Sequence, residues 1–339
     1  MNNPIYILSA AQISAQNPLR EDWIENPIFY NEEYVRAIEP NYKEYFTALE
    51  VRRYGKLLKR ALLVSRKAME QSTGAQHTTP DAIITGTGLG CIENTEFFLK
   101  DLVFGGEEML KPTHFMNSTH NTVSSLVAID VKCYGYNSTY VQKGVSFESA
   151  LQDAFFQLQS GKITTALVGG HDEMTPDYFK LLKKTGYFEF SDTKQSFAGE
   201  TAVAMMLSSE NTKNALCKIE NLEMFYGNFA EERLISPLQD FDAIMIGANG
   251  QSENDRRYYE ICKKKFPNIP LLHYKHIFGE SYTAPALGIY VAAMCLKNGK
   301  IPEHLFVNAA MENFSSLRKI LFYNNFEGKN HSLILLSKC

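Results

Sequence analysis

The stretch DAIITGTGLG, residues 81–90, is the part of the sequence from which the fold can be inferred, because it occurs in two similar copies. A short apolar run that ends in glycines predicts a buried strand followed by a tight loop. The second copy is DAIMIGANGQ, residues 242–251. The tripeptides IEN and SEN follow the two copies, and a helix is predicted after each.

Two further pairs of segments repeat in the same order along the chain. LQSGKITTALVGG (158–170) is similar to LKNGKIPEHLFVN (296–308), and in both we predict the end of a helix, a Gly-Lys turn and a strand. FAGETAVAMMLSS (197–209) is similar to FEGKNHSLILLSK (326–338). Repeats that keep their order indicate an internal duplication.

The duplication predicts how the chain divides. We assign residues 1–209 to an N-terminal half, with an insertion at about 17–54 that is rich in aromatic and acidic residues. Residues 210–339 form a shorter C-terminal half, and the two halves together form one compact domain. In each half predicted strands alternate with predicted helices, which favours a mixed sheet with crossover helices.

The predicted helices indicate how these sheets are layered. Apolar residues recur at three- and four-residue spacing around residues 55–71, 147–160 and 284–297. The last of these segments, APALGIYVAAMCL, is apolar on nearly every side, so we expect it to be buried between two sheets. The predicted fold is therefore α/β, with two pseudo-duplicated halves in layered α-β-α-β-α order.

Composition excludes several classes of function. Among the 339 residues, 45% are hydrophobic and 21% are charged, which is ordinary for a packed globular protein. The net charge of −4 provides no basic surface for nucleic acid. No window reaches the ~18 apolar residues of a membrane-spanning helix, and the first residues lack the pattern of a signal peptide.

The cysteines and glycines predict neither a metal site nor a cofactor site. The six cysteines are scattered, without a CxxC pair or histidines at zinc spacing, so we expect reduced thiols in a cytoplasmic protein. The GTGLG glycines do not have the spacing of a dinucleotide fingerprint. We expect no cofactor and no metal.

The motifs together resemble those of the β-ketoacyl-ACP synthases, which have the thiolase fold. The segments that carry the resemblance are ITGTGLG (84–90), PTHFMNSTHNTVSSLVAI (112–129), GKITTALVGGHDEMTP (161–176), AGETAVAMMLSS (198–209), KHIFGESYTAPALG (275–288) and FEGKNHSLIL (326–335). They extend over most of the chain. The resemblance implies a thiolase-like fold and an acyltransferase ancestry.

The resemblance also implies where the nucleophile should lie. A condensing synthase needs a thiolate that carries the acyl chain, placed where a helix begins. Counting back from the glycine pair at 169–170, this position falls on Gly144, which has no atom that can attack. Cys133 lies eleven residues upstream, and we expect it to be a small core residue.

The other reactive positions of the family are changed as well. The resemblance implies two histidines that stabilise an enolate and a lysine that holds one of them. Asn249 and Glu280 stand at the histidine positions, and only Lys275 is retained. Asparagine cannot become a cation near neutral pH, and a carboxylate would oppose the developing negative charge. From their spacing alone, we predict that Lys275 pairs with Glu280, and we expect no catalytic residue at this site.

Inactive members of this family suggest what such a chain can do. Chain-length factors pair with an active synthase and form the floor of its acyl tunnel. By resemblance, the segment 112–126 supplies that floor in this chain, with Phe115, Met116 and Val123 as candidate stops and His120 as an interface candidate. Phe326 matches the position of an aromatic gate over the acyl pocket, although a core phenylalanine has the same appearance in sequence.

The leading hypothesis is therefore a non-condensing subunit that pairs with an active ketosynthase and works with acyl carrier protein, in fatty-acid-like, polyketide or polyene assembly. One alternative is an enzyme with relocated acyl-transfer chemistry, using Cys91, His120 or Lys275. A second alternative is a homodimeric protein that binds acyl groups or carrier protein.

Overall fold

Ten strands and ten α-helices form in the part of the chain that the computed structural model describes, which is residues 4–73, 79–106, 110–188, 196–227, 240–307 and 317–339. The strands are β1 (Ile5–Ile13), β2 (Ala82–Gly86), β3 (Tyr136–Tyr140), β4 (Thr165–Asp172), β5 (Thr201–Ser208), β6 (Cys217–Tyr226), β7 (Ala243–Ile246), β8 (Leu271–Leu272), β9 (Lys319–Phe326) and β10 (Asn330–Ser337).

The helices differ widely in length. They are α1 (Ala48–Val51), α2 (Lys56–Thr73), α3 (Ile92–Gly105), α4 (Pro112–Ser118), α5 (Thr122–Val131), α6 (Ser146–Gln159), α7 (Pro176–Lys184), α8 (Ser252–Lys265), α9 (Lys275–Phe278) and α10 (Ala284–Asn298). Short 3-10 turns occur at Asp22–Ile24, Tyr42–Glu44, Lys143–Val145 and Glu303–Leu305.

The order of the strands shows the duplication. The sheet runs β3-β2-β4-β5-β1-β6-β10-β9-β7-β8. If β6 to β10 are matched in sequence order with β1 to β5, the second half repeats the order of the first, read from the opposite edge. The strand directions match too, because β2 is parallel to β3 and β4 as β7 is parallel to β8 and β9. This arrangement confirms the predicted fold class.

Two equivalent aspartates repeat the same hydrogen bonds in the two halves. The Asp81 carboxylate accepts bonds of 2.8 and 3.0 Å from the amide before β4 and the first amide of β4. The Asp242 carboxylate accepts bonds of 2.6 and 2.8 Å from the amide before β9 and the first amide of β9. The shared DAI motif therefore has a structural reason: its aspartate fixes the start of the neighbouring parallel strand.

The helices lie in the layers predicted for them, but the strands on either side of the central helices belong to one continuous ten-stranded sheet and not to two separate sheets, because β1 pairs with β6. Side chains of α6 and α10 share one large core with strands of both halves, so these two helices form the central layer. α2 and α5 cover the outer face of the first half, and α8 covers that of the second half. Every residue of α10 up to Leu296 is buried, which explains its apolar composition. Among the described helices, none is long and apolar enough to cross a membrane.

One predicted strand is wrong. The repeat predicted a strand after the Gly-Lys turn that follows α10, but the chain forms the 3-10 turn Glu303–Leu305 there. Phe306 makes only an isolated bridge to Leu272, and residue 308 lies outside the described residues. The next strand of this half that the structure describes is β9. Pro302, which lacks an amide proton, precedes the turn and interrupts strand pairing.

Candidate functional site

A cavity of about 520 Å³ collects the positions that the motifs singled out. Gly144 lies in the 3-10 turn just before α6, and Asn249 lies in the loop after β7. Lys275 begins α9, Glu280 follows it, and Phe326 ends β9. All five residues line the cavity, so the structure brings together residues from both halves of the chain.

The position predicted for a nucleophile side chain is filled by an aromatic ring. A Cβ built on Gly144 would lie 2.2 Å from Cδ2 and 2.6 Å from Cε2 of Phe326, far inside van der Waals contact. Gly144 is not among the residues with positive φ, whereas Lys143 before it has a φ of 50°. Space, and not backbone conformation, therefore requires glycine at residue 144.

Lys275 and Glu280 form a buried ion pair. Lys275 Nζ lies 2.7 Å from Glu280 Oε2, and both residues are buried, which confirms the predicted pairing. Gly279 has a φ of 82°, which favours glycine, and its amide donates a 2.8 Å hydrogen bond to the Lys275 carbonyl, so the chain turns between the two charged residues. The Glu280 amide also donates a 2.6 Å hydrogen bond to the Phe197 carbonyl. The lysine charge is thus neutralised within the site.

Asn249 belongs to a fixed loop. The amides of Asn249 and Gly250 each donate a 2.9 Å hydrogen bond to the carboxylate of Asp255 in α8. The Asn249 side-chain oxygen accepts a 3.3 Å bond from the amide of Gln251. The asparagine at the first histidine position therefore acts as part of the loop's own hydrogen-bond network.

A carboxyl that sequence reasoning missed lies beside the cavity. Glu148 is fully buried on α6, one turn after Gly144, and accepts hydrogen bonds from Asn324 Nδ2 at 2.7 Å and Ser332 Oγ at 3.1 Å. Burial raises the pKa of Glu148 to about 7, although these bonds and the charge of Lys275 act in the opposite direction. The available signal in the sequence is the position of Glu148 in the first turn of α6, directly after the 3-10 turn that contains Gly144.

The first glycine loop turns its amides toward a second buried carboxyl. Asp172 Oδ1 accepts hydrogen bonds from the amides of Gly88 (2.9 Å) and Leu89 (2.8 Å) and from Thr87 Oγ1 (2.9 Å). Burial raises the pKa of Asp172 to about 6. These two amides are therefore used inside the protein and do not form an oxyanion hole.

No imidazole or thiol lines the cavity among the described residues. His120 is exposed at the surface. His171 is buried outside the cavity lining, and desolvation lowers its pKa to about 3, so its ring is neutral. Likewise, no group of described His, Cys, Asp and Glu side chains is arranged to hold a metal ion.

The cysteines considered as nucleophiles are buried elsewhere. Burial, and secondarily the charges of Glu173 and Glu93, raise the pKa of the Cys91 thiol well above its usual value. Cys133 Sγ donates a 3.1 Å hydrogen bond to the Pro80 carbonyl. A thiol that stays protonated is a poor nucleophile, and neither sulfur lines the cavity.

The candidate tunnel residues separate into two groups. Phe115 and Met116 on α4 are 56% and 66% exposed. Val123 on α5 is buried in the subunit's own core, where it belongs to one cluster with Leu57 and Cys91. The structure therefore offers Phe115 and Met116 to a partner, but not Val123.

Comparison with known proteins shows which family this chain resembles in sequence. A sequence model described as "Beta-ketoacyl synthase, N-terminal domain" matches residues 31–233, which is more than half of the chain. No curated protein sequence matches the chain.

Several solved structures are similar over the whole chain. "The ishigamide ketosynthase/chain length factor" has a TM-score of 0.80 and 15% identity, with 100% of each chain covered. A type II PKS acyl-carrier protein in complex with its ketosynthase bound to the hexaketide (AntDE:AntF) gives 0.79 and 13%, again with 100% of each covered. Ketosynthase ApeO in complex with its chain length factor ApeC, from Xenorhabdus doucetiae, gives 0.76 and 13%, covering 99% of this chain and 98% of that one. At these low identities the TM-scores show a shared fold, and the sequence-model match shows that the chain belongs to the β-ketoacyl synthase family.

Proposed function

We propose that this chain is a non-condensing member of the family that pairs with an active ketosynthase and shapes its acyl tunnel, as a chain-length factor does. The observation that carries the proposal is the content of the cavity. Gly144 lies beneath the Phe326 ring, and an ion pair occupies the position of the second imidazole. The pathway would be fatty-acid-like, polyketide or polyene synthesis.

Condensation needs groups that this cavity does not supply. Attack on an acyl thioester requires a thiolate, and decarboxylation of a malonyl group requires donors that stabilise an enolate. Loss of one oxyanion donor typically costs ~10²–10³ in rate. Here the nucleophile is replaced by glycine, and Glu280 places a carboxylate where a donor is needed.

The open edge of the sheet is evidence that a partner subunit binds there. β3 is the outermost strand of the first half and pairs only with β2 in the described part of the chain. Tyr134, Tyr136, Val141 and Phe156, on or beside this edge, are 94%, 42%, 45% and 53% exposed. An unpaired strand flanked by large exposed side chains is typical of a surface that another chain covers.

Two of the similar solved structures support the choice of partner. Each of them is a ketosynthase with a chain length factor. A third similar structure is an acyl-carrier protein bound to its ketosynthase. We therefore propose that carrier protein delivers acyl groups to the partner's cysteine, in a complex that resides in the cytoplasm. All six cysteines of this chain are free thiols, which fits a reducing compartment.

Co-expression with a ketosynthase whose Cys-His-His set is intact tests this proposal. We expect a one-to-one complex by size-exclusion chromatography and mass measurement. Tyr134→Glu should weaken that complex about tenfold or more, because it places a charge on the proposed interface. Leu49→Glu, at another exposed position, is the matched control and should bind like the wild type.

Two other outcomes would contradict the proposal. Turnover of acyl carrier substrates by the purified chain alone would indicate relocated chemistry on this fold. An inert homodimer that binds no ketosynthase would indicate a separate role in binding acyl groups or carrier protein.

A further inference from the structure

We propose that the Phe326 ring is a fixed plug that closes this subunit's own acyl entrance. Residue 144 is glycine because a larger residue would leave no room for the ring. The inference rests on the proposed function in one respect only: the ligand that the Phe326 ring excludes is taken to be an acyl chain. It adds that the site cannot be reactivated by restoring a thiol at residue 144 alone.

The contact that carries this inference is between ring atoms and backbone. The three atoms nearest to a Cβ on Gly144 are Cδ2, Cε2 and Cγ of Phe326, at 2.2, 2.6 and 2.7 Å. All three belong to the rigid ring, so rotation of a flexible side-chain end cannot relieve the overlap. The ring therefore overlaps the volume in which the Cβ of any nucleophilic side chain at residue 144 would lie.

The backbone that carries the ring is held in place. The Asn325 amide donates a 2.6 Å hydrogen bond to the hydroxyl of Tyr258, which is fully buried. Asn324, one residue earlier, donates through Nδ2 to the buried carboxyl of Glu148. Movement of Phe326 away from Gly144 by shifting the end of β9 would break both of these bonds.

The Phe326 ring also packs against a second aromatic side chain. The Tyr282 ring packs edge-on against Phe326, with 6.1 Å between ring centroids. The tight turn after Phe326 has positive φ at Glu327 (55°) and Gly328 (70°), which restricts the alternative paths of the chain. A ring held from the strand, the turn and a neighbouring aromatic side chain behaves as a plug, whereas a gate must swing aside.

The plug makes a specific prediction about pairs of substitutions. Gly144 does not need a left-handed backbone, and the three atoms nearest to a Cβ there all belong to the Phe326 ring. We expect Gly144→Ala to lower the Tm by roughly 2–6 °C through overpacking. In a Phe326→Ala background, the same change should lower the Tm by less than about 1 °C, because the overlapping atoms are gone.

Gly105→Ala is the matched control for the glycine substitution. Gly105 lies at the end of α3, has no positive φ, and no heavy atom would approach its Cβ within 4 Å. Its effect on the Tm should be small and should add to that of Phe326→Ala. All variants are measured in the form in which the wild-type chain purifies, alone or with its partner.

A second measurement reports on access to residue 144. Gly144→Cys and the double variant Gly144→Cys/Phe326→Ala are treated with iodoacetamide, and alkylation of Cys at residue 144 is followed by peptide mass spectrometry. The double variant should react about tenfold faster or more, since the plug is absent.

The proposal is overturned if Gly144→Ala is as stable as the wild type, or if Phe326→Ala fails to relieve its cost. Equal alkylation rates in the two cysteine variants would also overturn it. If Gly144→Ala does not fold, recovery of folding by Phe326→Ala supports the plug, and no recovery refutes it. None of these results depends on whether a ketosynthase binds, so failure of the plug leaves the proposed function standing.

Discussion

At the scale of single residues, the buried carboxyl of Glu148 beside the cavity has a raised pKa. Burial raises its pKa from 4.5 to about 7. Between these values the folded protein keeps a proton that the unfolded chain has lost. The stabilising contribution of Glu148 is therefore complete at pH below about 4 and disappears as the pH rises toward 7.

Glu148→Gln removes this titration. Relative to the variant, the wild type should lose about 1.4 kcal/mol of unfolding free energy per pH unit between about pH 5 and 7, with no further loss above that range. Urea unfolding of both proteins across this range measures the difference. A difference that stays constant with pH would show that Glu148 is not protonated in the folded state.

The residues of the candidate site could be predicted from the sequence, but the contacts that their side chains make could be predicted only in part. The motif register indicated that Gly144, Asn249 and Glu280 replace reactive groups, and the spacing of Lys275 and Glu280 predicted their ion pair. The position of the Phe326 ring could not be predicted, because the direction of a side chain at a strand end depends on packing between distant segments.

At the scale of elements, α4 presents the side chains that we propose to act on a partner's tunnel. Phe115 and Met116 are exposed on this helix. If Met116 limits the length of the acyl chain, then Met116→Ala should shift products of the complex to longer chains, and Met116→Phe should shift them to shorter ones. Product mass distributions from the reconstituted complex measure this.

The opposite directions of these two shifts make the test specific. Leu49→Ala, an exposed change on α1, should leave the distribution unchanged. Normal products from both Met116 variants, in a complex that still forms, would remove α4 from the tunnel floor.

Helices were easier to predict from sequence than strands in this chain. The apolar periodicity of α2, α6 and α10 extends over many residues and marks their bounds well. The strand expected after α10 was wrong, because a repeat in sequence can keep a helix end and its glycine turn while the following segment changes. Gly161 and Gly299 retain this turn, with φ of 69° and 65°, whereas Pro302 redirects the chain in the second half.

At the scale of the whole molecule, the described residues show the duplicated architecture, whereas the cavity is lined by no thiol or imidazole among them. The strand order of the two halves, the central pair α6 and α10, and the aspartates that start the DAI motifs are all present. The buried ion pair and the packed ring make the former site a stable part of the core. An intact fold with an exposed edge strand fits a subunit that acts through its surface.

The most direct test of the central claim is intact-protein mass spectrometry of the ketosynthase complex after incubation with an acyl-loaded carrier protein. The account predicts an added acyl mass on the partner ketosynthase and none on this chain. An acyl adduct on this chain that disappears when Cys91 or Cys133 is replaced by serine would contradict the account.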